Sequence, residues 1–120
     1  MAVTVLIVDD HEGFRAVARR LLEDQGLEVV GEAADGAGAL LQVAALRPRL
    51  VLLDVQLPDT DGFAVADRLA VTHPETVVVL TSVRPASDYG ARLPADSARA
   101  FLPKAELSGP ALLGALGAAR

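Results

Sequence analysis

Leu50-Val51-Leu52-Leu53-Asp54-Val55-Gln56-Leu57-Pro58-Asp59-Thr60-Asp61-Gly62 is the stretch that decides the fold. Four consecutive apolar residues run into one carboxylate, and turn formers follow at once. A short unbroken apolar run between breakers suits a strand buried on both faces of a parallel sheet. An Asp ending such a strand lies outside the carboxyl edge, where open α/β sheets bind ligands. Taken alone, such an Asp is as often a turn former or a helix cap. Its meaning depends on what the rest of the chain delivers to the same edge.

Working outward, the same pattern recurs. Val3 to Val8 is a β-branched apolar run that ends in Asp9-Asp10. A helix follows, with Phe14, Val17, Ala18, Leu21 and Leu22 at the spacing of one apolar stripe and Gly26 closing it. Leu27 to Ala33 is a second, more amphipathic strand expected near an edge. Asp35 caps a second helix whose Leu40, Val43, Ala44 and Leu46 are expected to face inward, and Pro48 ends it. After the strand Leu50 to Asp54, Asp61 caps a third helix with Phe63, Ala66, Leu69 and Ala70 on its buried side, stopped at His73-Pro74. Val77 to Thr81 is a fourth strand, with Ser82 directly after it. A helix between Pro85 and Pro94 must tolerate Gly90, so about two turns is its limit. Arg99 to Leu102 is a short fifth strand leading into Pro103 and Lys104. Ser108 caps a last helix with Leu112, Leu113 and Leu116 as its apolar face.

Strand and helix patterns thus alternate five times. Right-handed crossovers turn that alternation into a (βα)5 doubly wound α/β fold, a parallel five-stranded sheet with helices on both faces. Of the two common doubly wound arrangements, the flavodoxin-like order 2-1-3-4-5 is adopted as the expectation. At 120 residues, 1–120 reads as a single domain. Hydrophobic residues make up 52% of the chain but aromatic ones only 3%, so the core must be built from Val, Leu and Ala. No apolar run approaches the roughly 20 residues needed to span a bilayer, and the start of the chain carries no basic n-region. No membrane partner and no secretory signal are therefore expected. The absence of cysteine excludes disulfides and thiolate metal sites and fits a cytoplasmic protein. A net charge of −5 argues against direct nucleic-acid binding through phosphate contacts.

In this topology four of the strands bring chemistry to one edge: Asp9 and Asp10 from the first, Asp54 from the third, Thr81 from the fourth and Lys104 after the fifth. Three converging carboxylates repel one another and cannot all stay ionised without a cation. Oxygen ligands without His or Cys favour a hard ion, with Mg²⁺ the first choice. A hydroxyl and an ammonium opposite would hold the remaining oxygens of a phosphoryl group. The set describes a site for phosphoryl transfer onto Asp54.

Asp9-Asp10, the stretch around Asp54, the run Val77 to Ser82 and Phe101-Leu102-Pro103-Lys104 together resemble the receiver domain of two-component response regulators. The resemblance covers essentially the whole chain, and Asp10-His11-Glu12 with Phe14-Arg15 is most similar to the subfamily that usually carries a C-terminal helix-turn-helix output domain. None is expected within this chain. The resemblance implies that Asp54 accepts a phosphoryl group from a sensor histidine kinase. It also implies that Asp10, Asp54 and the backbone carbonyl of Gln56 ligate Mg²⁺, with Asp9 acting through a water. Lys104 would pair with Asp54 and then with a phosphoryl oxygen. Thr81 would turn inward to the phosphoryl group, with Ser82 the alternative hydroxyl, and Phe101 would follow from an exposed to a buried rotamer. Output would pass through the fourth helix, fifth strand and last helix to an output domain or partner protein, a homodimer among the options.

Several residues depart from the family pattern or read two ways. Receivers commonly have proline after the lysine, joined by a cis bond, whereas Lys104 precedes Ala105, where a cis bond would cost about 3 kcal/mol. Asp59 and Asp61 read as turn or cap residues, His11 as an exposed first-turn residue, and Arg19 and Arg20 as a solvated helix face. Tyr89 stays open between packing and a partner surface. The chain is expected to be a phosphoacceptor switch and not a turnover enzyme. The alternative is a receiver-like module that binds partners independently of phosphorylation. A haloacid dehalogenase-type phosphatase would want a second Asp where Gln56 stands, and its nucleophile would follow the first strand. A flavodoxin-type cofactor module would need a phosphate-cradling loop where Asp9-Asp10-His11-Glu12 puts the wrong charge.

Overall fold

A computed structural model describes residues 2–85, 87–89, 98 and 100–117. Five parallel strands form one sheet in the order β2-β1-β3-β4-β5: β1 (Thr4–Val8), β2 (Glu28–Ala33), β3 (Leu50–Asp54), β4 (Val77–Ser82) and β5 (Ala100–Pro103). This is the expected doubly wound order, with the amphipathic β2 at one edge. Every residue of β3 is buried, as a central strand covered on both faces requires. Alternation along the strands feeds two cores. Leu6, Val8, Val51, Leu53, Val78 and Leu80 point to one face of the sheet. Val5, Ile7, Leu50, Leu52 and Val79 point to the other.

Helices α2 (Gly36–Leu46) and α3 (Gly62–Thr72) cover the first face, whereas α1 (Glu12–Asp24) and α4 (Gly109–Gly117) cover the second. Their caps follow the sequence. The Asp35 carboxylate accepts from Gly38 N at 2.7 Å, that of Asp61 from Ala64 N at 2.9 Å, and the Ser108 hydroxyl from Ala111 N at 3.1 Å. The buried stripes of α1, α2 and α4 are narrower than expected, and that of α3 is shifted. Ala18 and Leu22 bury α1 while Val17 is 66% exposed. Ala39 and Val43 bury α2 while Ala44 and Leu46 are exposed. In α3 Val65 takes the place expected for the exposed Ala70, and in α4 Leu112 and Leu116 are buried while Leu113 is exposed. A helix lying on a sheet buries a narrow arc, and a residue one position from its centre is turned 100° away.

The fourth strand runs one residue past its expected end, through Ser82. In the Gly- and Pro-broken stretch that follows, residues 87–89 form a 3-10 turn. The rest of the helix expected between Pro85 and Pro94, and with it that part of the expected output surface, lies outside the described residues, as does Arg99. No helix among the described residues is long and apolar enough to cross a membrane.

Candidate functional site

The carboxyl edge of the sheet gathers the residues named from the sequence. Asp54 ends β3 and is matched in register with Thr81 of β4, which is itself matched with Leu102 of β5. Asp9 follows β1 and is completely buried, Asp54 is 4% exposed, and Asp10 is exposed beside them. Lys104 Nζ lies 2.5 Å from Asp9 Oδ2 and 3.3 Å from Asp54 Oδ2, with only a tenth of its side chain accessible. One ammonium therefore sits between two buried carboxylates. Burial and the Asp9 charge push the Asp54 carboxyl above its ordinary range, against the pull of Lys104 and of the Gln56 amide that donates to Oδ1.

This donor set fits a hard divalent cation. Ligand atoms of Asp9, Asp10, His11 and Asp54 all lie within 4.8 Å of one another. Asp9 Oδ2 accepts no hydrogen bond in acceptable geometry although it is buried and ion-paired with Lys104. A buried carboxylate oxygen with spare lone pairs, next to two more carboxylates, suits Mg²⁺ that keeps several waters. A cleft of about 170 Å³ opens here, lined among others by Asp10, His11, Asp54, Gln56, Val83 and Lys104. Asp9 and Thr81, both buried, do not line it.

The loop after β3 is held by backbone bonds and by the Asp59 carboxylate. Gly62 N donates to Val55 O at 2.7 Å, and Gln56 and Asp61 form an antiparallel bridge that fixes the backbone of Gln56. Asp59 does more than turn the chain. Its Oδ1 and Oδ2 accept from Gly36 N (2.8 Å) and Ala37 N (3.0 Å), so the loop is pinned to the first turn of α2. These two bonds hold the Asp59 carboxyl below its usual range.

The two adjacent hydroxyls have different partners. Thr81 Oγ1 donates to Leu102 O at 2.6 Å. Ser82 Oγ is bonded to Tyr89 Oη at 2.6 Å and accepts from Arg84 N at 3.0 Å. Tyr89, left open by the sequence, is a packing residue: its ring meets Phe63 at 5.8 Å and Phe101 at 5.7 Å between centroids. Phe101 is half-buried in this group and is matched in register with Leu80, not Thr81.

Three further sets of contacts surround the site. His11 caps α1 without a side-chain bond and sets Nδ1 3.3 Å from Asp9 Oδ1 and 3.2 Å from Asp10 Oδ1. Arg15 Nη1 donates to Asp9 O at 2.7 Å while its Nε pairs with Glu32 Oε1 at 3.0 Å, and Arg19 Nε pairs with Glu32 Oε2 at 2.7 Å. Arg19 is thus half of an ion-paired clamp between α1 and β2, not part of a solvated face. Finally, the Lys104 ammonium lies over the Phe14 ring, 4.3 Å from its centroid. The arginine and aromatic contacts leave no trace in sequence spacing, because each joins elements whose mutual placement only the packed fold defines, whereas His11 meets carboxylates one and two positions before it.

A parallel sheet with a buried acidic pair, a third carboxylate and a lysine at its carboxyl edge defines an α/β protein built for a cation and an anionic group together. The Response regulator receiver domain family matches residues 5–114, and the chain belongs to it. It is 37% identical over 103 residues to the response regulator GacA of Pseudomonas protegens, a match covering 85% of this chain and 48% of that protein. It is 36% identical over 116 residues to the protein-glutamate methylesterase/protein-glutamine glutaminase of Alkalilimnicola ehrlichii, covering 91% of this chain and 29% of that one. Among solved structures, the signal receiver domain of the response regulator NarL from Mycobacterium tuberculosis superposes with a TM-score of 0.85 at 34% identity, over 97% of this chain and 98% of that one. TrrA of Thermotoga maritima, solved with Mg²⁺–BeF, matches with a TM-score of 0.77 at 25% identity over 86% of both chains. The fold is therefore CheY-like, and the chain is a module of phosphorylation-dependent two-component signalling. It spans about half the length of the GacA proteins it matches.

Proposed function

We propose that Asp54 accepts a phosphoryl group from the phosphohistidine of a sensor histidine kinase, and that residues 1–120 act as a single receiver unit. The observation that carries this reading is the ammonium of Lys104 held between the carboxylates of Asp9 and Asp54, beside a cleft that Asp10 and Asp54 also line. Asp10, Asp54 and the backbone carbonyl of Gln56 would hold Mg²⁺, with Asp9 acting through a water. The cation would neutralise the acidic cluster and draw electron density from the phosphoryl oxygens. TrrA, solved with Mg²⁺–BeF, supports this reading by similarity.

An Asp54 carboxylate oxygen attacks phosphorus, the P–N bond to the histidine breaks, and the imidazole departs. The product is an acyl phosphate on Asp54, and Lys104 exchanges part of its pairing with Asp54 for a phosphoryl oxygen. Thr81 would leave Leu102 O to donate to the phosphoryl group. Ser82 is the weaker candidate, because its hydroxyl is already bonded to Tyr89 and Arg84. Phe101 would repack in response, and the change would be read on β5, α4 and the neighbouring stretch by an output domain, a partner protein or a second copy of the chain.

Intact-mass spectrometry after incubation with acetyl phosphate tests the reading. A single-phosphate adduct that requires Mg²⁺ and is absent from Asp54→Asn is the expected result. An unmodified wild-type chain would leave the phosphorylation-independent module as the better account. An adduct on Asp54→Asn would mean that another residue is the nucleophile.

A further inference from the structure

We propose that Phe14 is a positioning residue for phosphoryl transfer, its ring face holding the Lys104 ammonium against Asp54 and Asp9. This inference deepens the function proposed above and rests on it. Lys104 reaches the site from an unusual loop. Pro103 precedes it in an extended conformation (φ −57°, ψ 141°), and Lys104 itself opens a 3-10 turn closed by Leu107 N donating to Lys104 O at 3.2 Å. The residue that follows is Ala105, so no proline ring restrains the peptide after the lysine.

A four-carbon side chain leaving such a turn has many rotamers, and two carboxylates on one side constrain only its tip. The ring of Phe14 supplies the missing wall. It stands in the first turns of α1, half-buried, and its centroid is 4.3 Å from Nζ. That is well inside the range in which the negative face of an aromatic ring attracts a cation. The ammonium is thus bounded by Asp9 Oδ2, Asp54 Oδ2 and an aromatic face. The ring offers no hydrogen-bond acceptor to compete when Lys104 shifts toward a phosphoryl oxygen, so it guides the ammonium without trapping it. An aliphatic residue at position 14 would fill similar space but would not attract the charge.

The contact is tested first without phosphorylation. Protons above an aromatic face experience ring-current shielding, so the Lys104 ε-methylene protons of the wild type should resonate upfield of ordinary lysines and return in Phe14→Leu. Ordinary lysine shifts in the wild type would overturn the proposal whatever happens to Asp54. The second test is the rate of adduct formation with acetyl phosphate and Mg²⁺. Phe14→Leu should be about three- to tenfold slower and Phe14→Tyr near wild type. In a Lys104→Met background Phe14→Leu should cause no further slowing. Equal rates for Leu and Phe at position 14, or the same slowing with Lys104 absent, would show that the ring only packs. If the wild type takes no phosphate at all, the proposed function fails while the proton shifts still decide the contact.

Discussion

Gly62 has to be glycine for a reason that lies in the site and not in its own dihedral angles. A Cβ built there would stand 2.5 Å from the backbone oxygen of Asp54 and 2.9 Å from Val55 Cα. Both neighbours are backbone atoms, so relief requires moving the end of β3 with the carboxylate it carries. Gly62→Ala is expected to cost about 1–3 kcal/mol, as overpacking at a tight contact does. A lower urea midpoint at unchanged slope would register it. The same shift should slow the gain of phosphate at Asp54, and a variant with wild-type stability and rate would show that the loop yields easily. The sequence reading placed Gly62 in a turn but had no access to this contact, since the residue it must avoid belongs to the strand eight positions earlier.

At the scale of elements, carboxylates join pieces that chain order keeps apart. Asp59 closes the first turn of α2 from the loop after β3. Asp59→Ala should therefore speed amide hydrogen exchange at residues 36 and 37 and loosen the loop that carries Gln56, while the Asp35 cap on Gly38 survives. Unchanged exchange would mean that the Asp35 cap suffices. Glu32 ties β2 to α1 through Arg15 and Arg19. Burial raises its carboxyl, but the hydrogen bonds and charges of the two arginines outweigh that and leave it below its usual range. A depressed pKa means that the contribution to stability is present above about pH 4.3 and fades as pH falls through the folded-state value. Glu32→Gln should thus lower stability by about 1 kcal/mol at pH 7 in this half-exposed clamp, with the gap closing in acid. Urea titrations at several pH values would measure it. Alternating patterns made the elements and their order legible, and the caps Asp35, Asp61 and Ser108 followed from local chemistry. Asp59 is the cap residue it reads as, but the helix it caps, like the partner of Arg19, is reached by a cross-element bond that has no spacing rule.

For the whole molecule, the sheet concentrates Asp9, Asp10 and Asp54 at one end of a chain whose net charge is already −5. Those residues and Lys104 were legible because each ends or follows a strand that reads clearly, and a parallel sheet sends all such ends to one edge. The Phe14 ring beneath Lys104 was not, because that contact depends on where the first turns of α1 fall beside the turn after β5. The concentration of charge should make global stability depend on the cation. Burial and Asp9 raise the Asp54 carboxyl, so the folded state holds its proton more tightly than the unfolded chain does. Stability without metal should then fall as pH rises through that range, and Asp54→Asn should be the more stable protein at neutral pH. Mg²⁺ should act in the opposite sense, because the acidic cluster exists only in the folded state. At a tenfold excess over its dissociation constant it should add about 1.4 kcal/mol, or about 5 °C in the unfolding temperature of a domain this size. Asp54→Asn should lose most of that gain, so the two melting curves approach or cross as Mg²⁺ is added and separate again on chelation. Equal Mg²⁺ shifts in both proteins would place the cation away from Asp54 and remove the electrostatic basis of the site.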